Sequence, residues 1–431
     1  MGSNISDRAS SVKGRRIRKD AWDGTNIWHP QRNPNGYISL GLAENSLMHS
    51  ELRDFLNTKT PIDSNSKAFT YGDASLSLRL AISRFLTSQL QPARPFTPDQ
   101  MFATSGVNVA IEHCAWGLAN AGDGILVGRP YHRMFIQNIQ LRMNVRFIPV
   151  SFGAEDPFRP AIVQDYEAAL HLAHSQGITV RALLLCHPHN PLGRYYPLDT
   201  LIQLLKFCQK HQIHIISDEI YALSTFPTRD THQSFHSVSS IDTTDLIDPS
   251  LVHILWGPSK DFGASGLRTG VVISQSNLGF LAALRTCGLY SAPSSLAENA
   301  VVEVLSDGEF ARAYVEENRR RIAEAYGVVG EVLGRYGLEW RRGVNAAFFV
   351  WVDLGRAWIE ARGGGSRWEG LTEEICGRCL EEGVVVVGGD LAGAEEEGWV
   401  RVVFTRERGE VEEGVRRIAR AVLGKGVGVR L

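Results

Sequence analysis

From about Arg53 to Gly270 the chain alternates segments of helical hydrophobic period with short apolar runs bounded by Gly, Pro or Asn. That rhythm predicts a mostly parallel sheet covered by helices, an α/β architecture. The runs at 124–127, 145–150, 182–186, 214–217, 253–255 and 271–274 read as strands. Between two of them Leu201, Leu204, Leu205 and Cys208 recur at helical spacing and predict the crossover helix. Beyond residue 310 a long charged helical stretch leads to a strand at 347–353, then to an α+β unit with strands at 383–387 and 399–404. The expected division is an N-terminal arm with part of a small domain (1–50), a large domain (51–309) and a small C-terminal domain (310–431). Residues 321–431 hold 21 of the 42 glycines, yet apolar strands persist between them, which predicts a folded unit rather than a linker.

The balance of 45 basic and 47 acidic residues, a formal charge of −2, excludes a global pull toward nucleic acid or an anionic membrane. No apolar run reaches the roughly 18 residues needed to cross a bilayer. The polar N-terminus with Arg15, Arg16, Arg18 and Lys19 is not followed by the apolar segment of a secretory signal. Six scattered cysteines suit a reducing compartment, so a cytoplasmic protein is expected. Cys376 and Cys379 form a single CxxC with no histidine beyond His253. A shared helix face at 373–382 accounts for the pair better than a redox or zinc role, and no metal is expected.

Arginine dominates the basic residues, 37 against 8 lysines, and Lys260 is the one lysine between Lys210 and Lys425. It stands in Ser259-Lys260-Asp261-Phe262-Gly263, ahead of Gly266-Leu267-Arg268-Thr269-Gly270. Two other strand ends carry polar clusters: His187-Pro188-His189-Asn190-Pro191-Leu192-Gly193, and Ser217-Asp218-Glu219-Ile220-Tyr221. An α/β sheet binds its ligands at the carboxyl ends of its strands. Together these residues offer an amine, a carboxylate for a ring nitrogen, two hydrogen-bonders for a phenolate and a guanidinium for a phosphate. Pyridoxal phosphate (PLP) has all four features.

In these motifs the sequence resembles the fold-type-I PLP enzymes of the class-I aminotransferase family. With Gly41-Leu42-Ala43-Glu44-Asn45 it is most similar to the 1-aminocyclopropane-1-carboxylate (ACC) synthase-like branch, in particular its fungal members. The resemblance implies that Lys260 carries PLP through a Schiff base and then moves the Cα proton, and that Asp218 pairs with the pyridine N–H. It implies further that Asn190 and Tyr221 bind the 3-oxygen. Arg268, Ser259 and the segment Ser105-Gly106-Val107-Asn108, opening a helix at 109–119, would hold the phosphate. Arg401 matches the arginine that grips the substrate α-carboxylate, and Asn345-Ala346-Ala347-Phe348-Phe349 the small-domain segment near the site. Glu44 matches a substrate-binding glutamate suited to a cationic or polar side chain, and Tyr71 a tyrosine that reaches the neighbouring subunit of a homodimer. His132 falls where an aromatic residue usually stacks on the ring, and a free imidazole titrates near neutrality. Val107, Asn108 and Gly257 depart from the usual small and hydroxyl residues at their positions.

The expected reaction is amino-group transfer on an amino-acid-type substrate. Carbon–sulfur lyase chemistry and ACC synthesis from S-adenosylmethionine are the alternatives within the family. A catalytically dead scaffold, a different class, is disfavoured by retention of Lys260, Asp218, Tyr221, Arg268 and Arg401.

Overall fold

A computed structural model describes residues 25–59, 75–228 and 234–424. After β1 (Ile38–Ser39), seven strands build the large sheet: β2 (Met101–Thr104), β3 (Gly124–Gly128), β4 (Arg146–Val150), β5 (Val180–Cys186), β6 (His214–Asp218), β7 (Val252–Trp256) and β8 (Gly270–Ile273). Their order is β2-β8-β7-β6-β5-β3-β4, with β8 antiparallel to both neighbours and every other pairing parallel. In β5 every residue except Arg181 is buried, the continuous apolar run of a strand covered on both faces. The helix Leu198–His211 buries Leu201, Leu204, Leu205 and Cys208 on its inner stripe, as their spacing predicts.

A smaller antiparallel sheet, order β12-β13-β10-β9, is formed by β9 (Glu339–Trp340), β10 (Phe349–Asp353), β12 (Val387–Gly388) and β13 (Trp399–Val403). The single strand expected at 383–387 is in fact two. Its first part, β11 (Val384–Val385), pairs in parallel with β1, and β12 pairs with β13, so the chain changes partners at Val386. The short strands β1 and β2 carry too few residues to show a period and escape the sequence pattern. No helix among the described residues is long and apolar enough to cross a membrane.

The sheet order positions the chemistry. Parallel β5, β6 and β7 lie side by side and end at one edge, with Cys186 opposite Asp218 and Asp218 opposite Leu255. The loops carrying Asn190, Asp218 and Lys260 therefore emerge together. Because β8 runs the other way, Arg268, two residues before it, arrives at that same edge. β2 is antiparallel to β8 and delivers 105–108 there as well, at the start of the helix Val107–Leu118.

Candidate active site

These loops, the 41–44 segment and β13 enclose a cavity of about 370 Å³. Glu44, Val107, Asn108, His132, Asn190, Asp218, Tyr221, Ser259, Lys260, Arg268 and Arg401 all line it. Ser105 and Gly106 sit behind Arg268 rather than on the wall, and Tyr71 lies outside the described residues. A surface hollow of about 700 Å³ between Arg94 and the 242–249 loop is larger but holds none of these groups.

Lys260 sits in a short helical turn, Pro258–Asp261, and its Nζ donates to the Ala43 carbonyl at 2.5 Å. Burial, assisted by the positive charges of Arg401 and Arg268, pushes its amine down to about 8. The turn is anchored by the buried Asp261 carboxylate, which accepts from Trp256 Nε1 (2.9 Å), Ser224 Oγ (2.7 Å) and the Leu223 amide (3.2 Å). Gly257 has a spatial reason for being small: a Cβ there would lie 2.5 Å from the Thr269 carbonyl, where the approach to β8 passes.

Asp218 is buried, and its Oδ1 accepts only the Ile220 amide at 3.3 Å; burial raises its carboxyl to about 7. Tyr221 is buried edge-on against Phe348 and Phe349 and receives a hydrogen bond from Asn190 Nδ2 at 3.4 Å. Arg401, in the middle of β13, is also buried. Its Nη1 donates to Asn190 Oδ1 (2.8 Å) and its Nη2 to the Gly41 carbonyl (2.6 Å), while Nε has no partner. Desolvation, with Arg133 repelling it, lowers this guanidinium to about 10. A buried cation whose only acceptors are neutral amide oxygens is costly until an anion arrives.

Arg268 donates to the Ser265 carbonyl at 2.8 Å and packs on Gly106. A Cβ on Gly106 would come 2.4 Å from the Arg268 guanidinium, and its φ of +99° also favours glycine, so backbone and guanidinium form one tight cradle. His132 differs from the sequence expectation. Burial and the charges of Arg401, Lys260 and Arg133 push its imidazole down to about 3, so the ring is neutral near physiological pH. Glu44 lines the cavity, but its carboxylate already pairs with Arg406 at 3.4 Å.

Sequence reasoning passed over several members. The Gly41 and Ala43 contacts run through backbone carbonyls and have no residue-type signal. Asp261 lay within a quoted motif without a role. The bridge from Asn45 Nδ2 to Asn318 Oδ1 (2.7 Å), and from Asn318 Nδ2 to the Asp261 carbonyl (3.1 Å), joins segments 273 and 57 residues apart. Arg133 stands beside His132, and a second charge next to the stacking position was the one visible cue. Among the described residues no cluster of His, Cys, Asp or Glu could hold a metal ion, and Cys379 is fully buried while Cys376 is partly so.

Glu219, next to Asp218, is buried. Its Oε1 accepts the Val238 amide (2.9 Å) and Ser217 Oγ (3.1 Å), and its Oε2 has no partner. Burial raises its carboxyl from 4.5 to about 7. An acid protonated more easily in the folded than in the unfolded state costs nothing below the unfolded pKa, and its burial costs progressively more as pH rises through the folded value. Glu219→Gln is therefore expected to match the parent near pH 4.5 and gain stability over it by about 1–3 kcal/mol at pH 8. Paired melting curves across this range test it; a difference independent of pH would refute the assignment.

Residues 37–418 match the family model for aminotransferase class I and II, and the chain belongs to that family. Among curated proteins it is 30% identical to 1-aminocyclopropane-1-carboxylate synthase-like protein 1 of Bos taurus, over 98% of this chain and 84% of that one. It is also 30% identical to probable aminotransferase sirI of Leptosphaeria maculans, over 91% and 93%. Among solved structures, aspartate aminotransferase from Thermus thermophilus with maleate superposes with a TM-score of 0.75 at 21% identity, over 97% of this chain and 99% of that one. An archaeal alanine:glyoxylate aminotransferase superposes with 0.78 at 18% identity, over 97% and 98%. The fold is that of the fold-type-I aminotransferases, and the protein is an enzyme that uses pyridoxal phosphate. The cavity fits this cofactor: Asp218 is a buried carboxylate hydrogen-bonded only by a backbone amide, Arg268 with Gly106 forms a cradle suited to an anion, and Lys260 is a low-pKa amine lining the same cavity.

Proposed function

We propose that this enzyme transfers the amino group of an α-amino acid and works as a homodimer. The observation that carries the reading is the convergence of Lys260, Asp218 and a buried, anion-seeking Arg401 on one cavity. Bound there, pyridoxal phosphate supplies an electron sink for charge developing at the substrate α-carbon. Asp218 keeps the ring nitrogen protonated, and Asn190 and Tyr221 hydrogen-bond the 3-oxygen. Arg268, Ser259 and the amides at the start of the helix Val107–Leu118 hold the phosphate. His132, neutral on the cavity wall, would pack against the ring without adding charge to it. Arg401 clamps the substrate α-carboxylate with two parallel hydrogen bonds. Lys260 Nζ, poised near neutrality by its surroundings, takes up the α-proton and returns it.

An exposed apolar ledge supports the homodimer. Leu289 and Tyr290 are 82% and 70% exposed, next to Ser291, whose carbonyl anchors the Ser105 amide at 2.7 Å. Apolar side chains so open beside the phosphate loop fit coverage by a second copy, with Tyr71 of each subunit serving the other's site.

The similarity to a 1-aminocyclopropane-1-carboxylate synthase-like protein keeps ring closure on S-adenosylmethionine as a rival outcome, and elimination of a thiol is the other. The test incubates purified protein with amino acids plus 2-oxo acids, with cysteine conjugates and with S-adenosylmethionine. Pyridoxamine phosphate and a new amino acid, from a protein sedimenting at twice the chain mass, are expected. Pyruvate and free thiol without an acceptor would assign the lyase reaction instead, and a monomeric active species would remove the shared site.

A further inference from the structure

Five of the six charged side chains that line the cavity have an assigned partner. Glu44 is paired with Arg406. On the reading above, Asp218 serves the ring nitrogen, Arg268 the phosphate, Lys260 the cofactor aldehyde and Arg401 the substrate α-carboxylate. The sixth, Arg133, has no hydrogen-bond or ion-pair partner among the described residues. Four positions earlier, Arg129 shows what an engaged arginine looks like here: its Nε donates to the Gly393 carbonyl at 2.7 Å and its Nη1 lies 4.0 Å from Glu395. Arg133 opens the helix Met134–Gln140 and is half-buried at the cavity wall. Its charge is felt at both His132 and Arg401. The neighbouring imidazole is neutral and Arg401 is cationic, so neither offsets it.

We propose that Arg133 receives the anionic end of the substrate side chain, so that the natural substrate is a short α-amino acid carrying a second acidic group, or its 2-oxo counterpart. This inference rests on the reading of the site as one for an α-amino acid. Arg401 and Arg133 then present two cations to one small cavity, which suits two acidic groups on a single short molecule. A carboxylate, sulfonate or phosphonate satisfies a guanidinium in the same way, by charge-assisted hydrogen bonds. A sulfonium beside Arg133 would meet like charge, which disfavours S-adenosylmethionine at this wall. Glu44, already answered by Arg406, does not call for a cationic substrate.

The test uses the cofactor-loaded protein and two unreactive probes, succinate and butyrate, which differ by one acidic group. Succinate is expected to bind at least about tenfold more tightly. Arg133→Gln should erase that preference and Arg133→Lys should restore part of it, with melting temperatures confirming that both variants fold. The ratio of kcat/KM for aspartate over asparagine, and for glutamate over glutamine, should fall about tenfold or more in Arg133→Gln. Equal binding of the two probes by the parent protein, or a preference that survives Arg133→Gln, would overturn the assignment. The two levels fail separately. If borohydride fixes no cofactor to Lys260 but the succinate preference depends on Arg133, the Lys260 reading falls and the Arg133 site stands.

Discussion

Lys260→Ala is expected to lose at least about 10³-fold in turnover, since the proposed mechanism has its amine move the α-proton. Borohydride treatment of the parent protein should fix pyridoxal phosphate to one peptide, the one containing Lys260, and the variant should retain none. The neighbouring structure sharpens this into a pH dependence. Burial and the adjacent cations lower the Lys260 amine to about 8, so its neutral, reactive form rises as pH climbs through that value rather than near the usual 10. Cofactor uptake by apoprotein should accelerate between pH 7 and 9 and then level off. A cofactor adduct trapped equally well in Lys260→Ala would place the chemistry elsewhere. An uptake rate still climbing steeply beyond pH 9 would show an amine with an ordinary pKa.

Arg401→Leu is expected to reduce kcat/KM for an amino acid by about 10² to 10³-fold, chiefly through KM, because a buried charge pair loses one partner. Arg401→Lys should recover only part, as an ammonium cannot reproduce two parallel hydrogen bonds. A purely structural role would look different. Arg401 Nη1 donates to Asn190 Oδ1 and Nη2 to the Gly41 carbonyl, so its loss also loosens the cofactor side of the cavity. The separating measurement compares an amino acid with the amine that lacks its carboxylate. If KM rises equally for both, Arg401 organises the pocket without gripping the carboxylate; if it rises for the amino acid alone, the clamp is confirmed.

Legibility from sequence followed the range of the interaction. Strands β3 and β5 to β8 show as apolar runs because the sheet buries them, while β4, at the sheet edge, buries only Val150, and the chemistry shows as residue types at the strand ends. Lys260 stood out because arginine, which stays protonated, cannot replace an amine that must lose its proton. By contrast, the split at Val386 depends on two different partner strands, β1 and β13, and no local pattern records that. The behaviour of His132 was also hidden: the residue type predicts titration near neutrality, and burial, aided by three cations folded around the ring, removes that.

The sequence by itself thus determined the cofactor class and nominated side chains that the fold brings to one cavity, since those are properties of residue types and their order along the strands. Tertiary structure decided which charges are already answered and which are not. Glu44 is paired by Arg406, 362 residues away, and Arg401 is held by carbonyls rather than by an acid. Arg133 lines the cavity without an ion-pair partner among the described residues. Electrostatic balance is a sum over neighbours in space, with the low dielectric of burial as its weight, and neither neighbours nor burial can be counted along a chain.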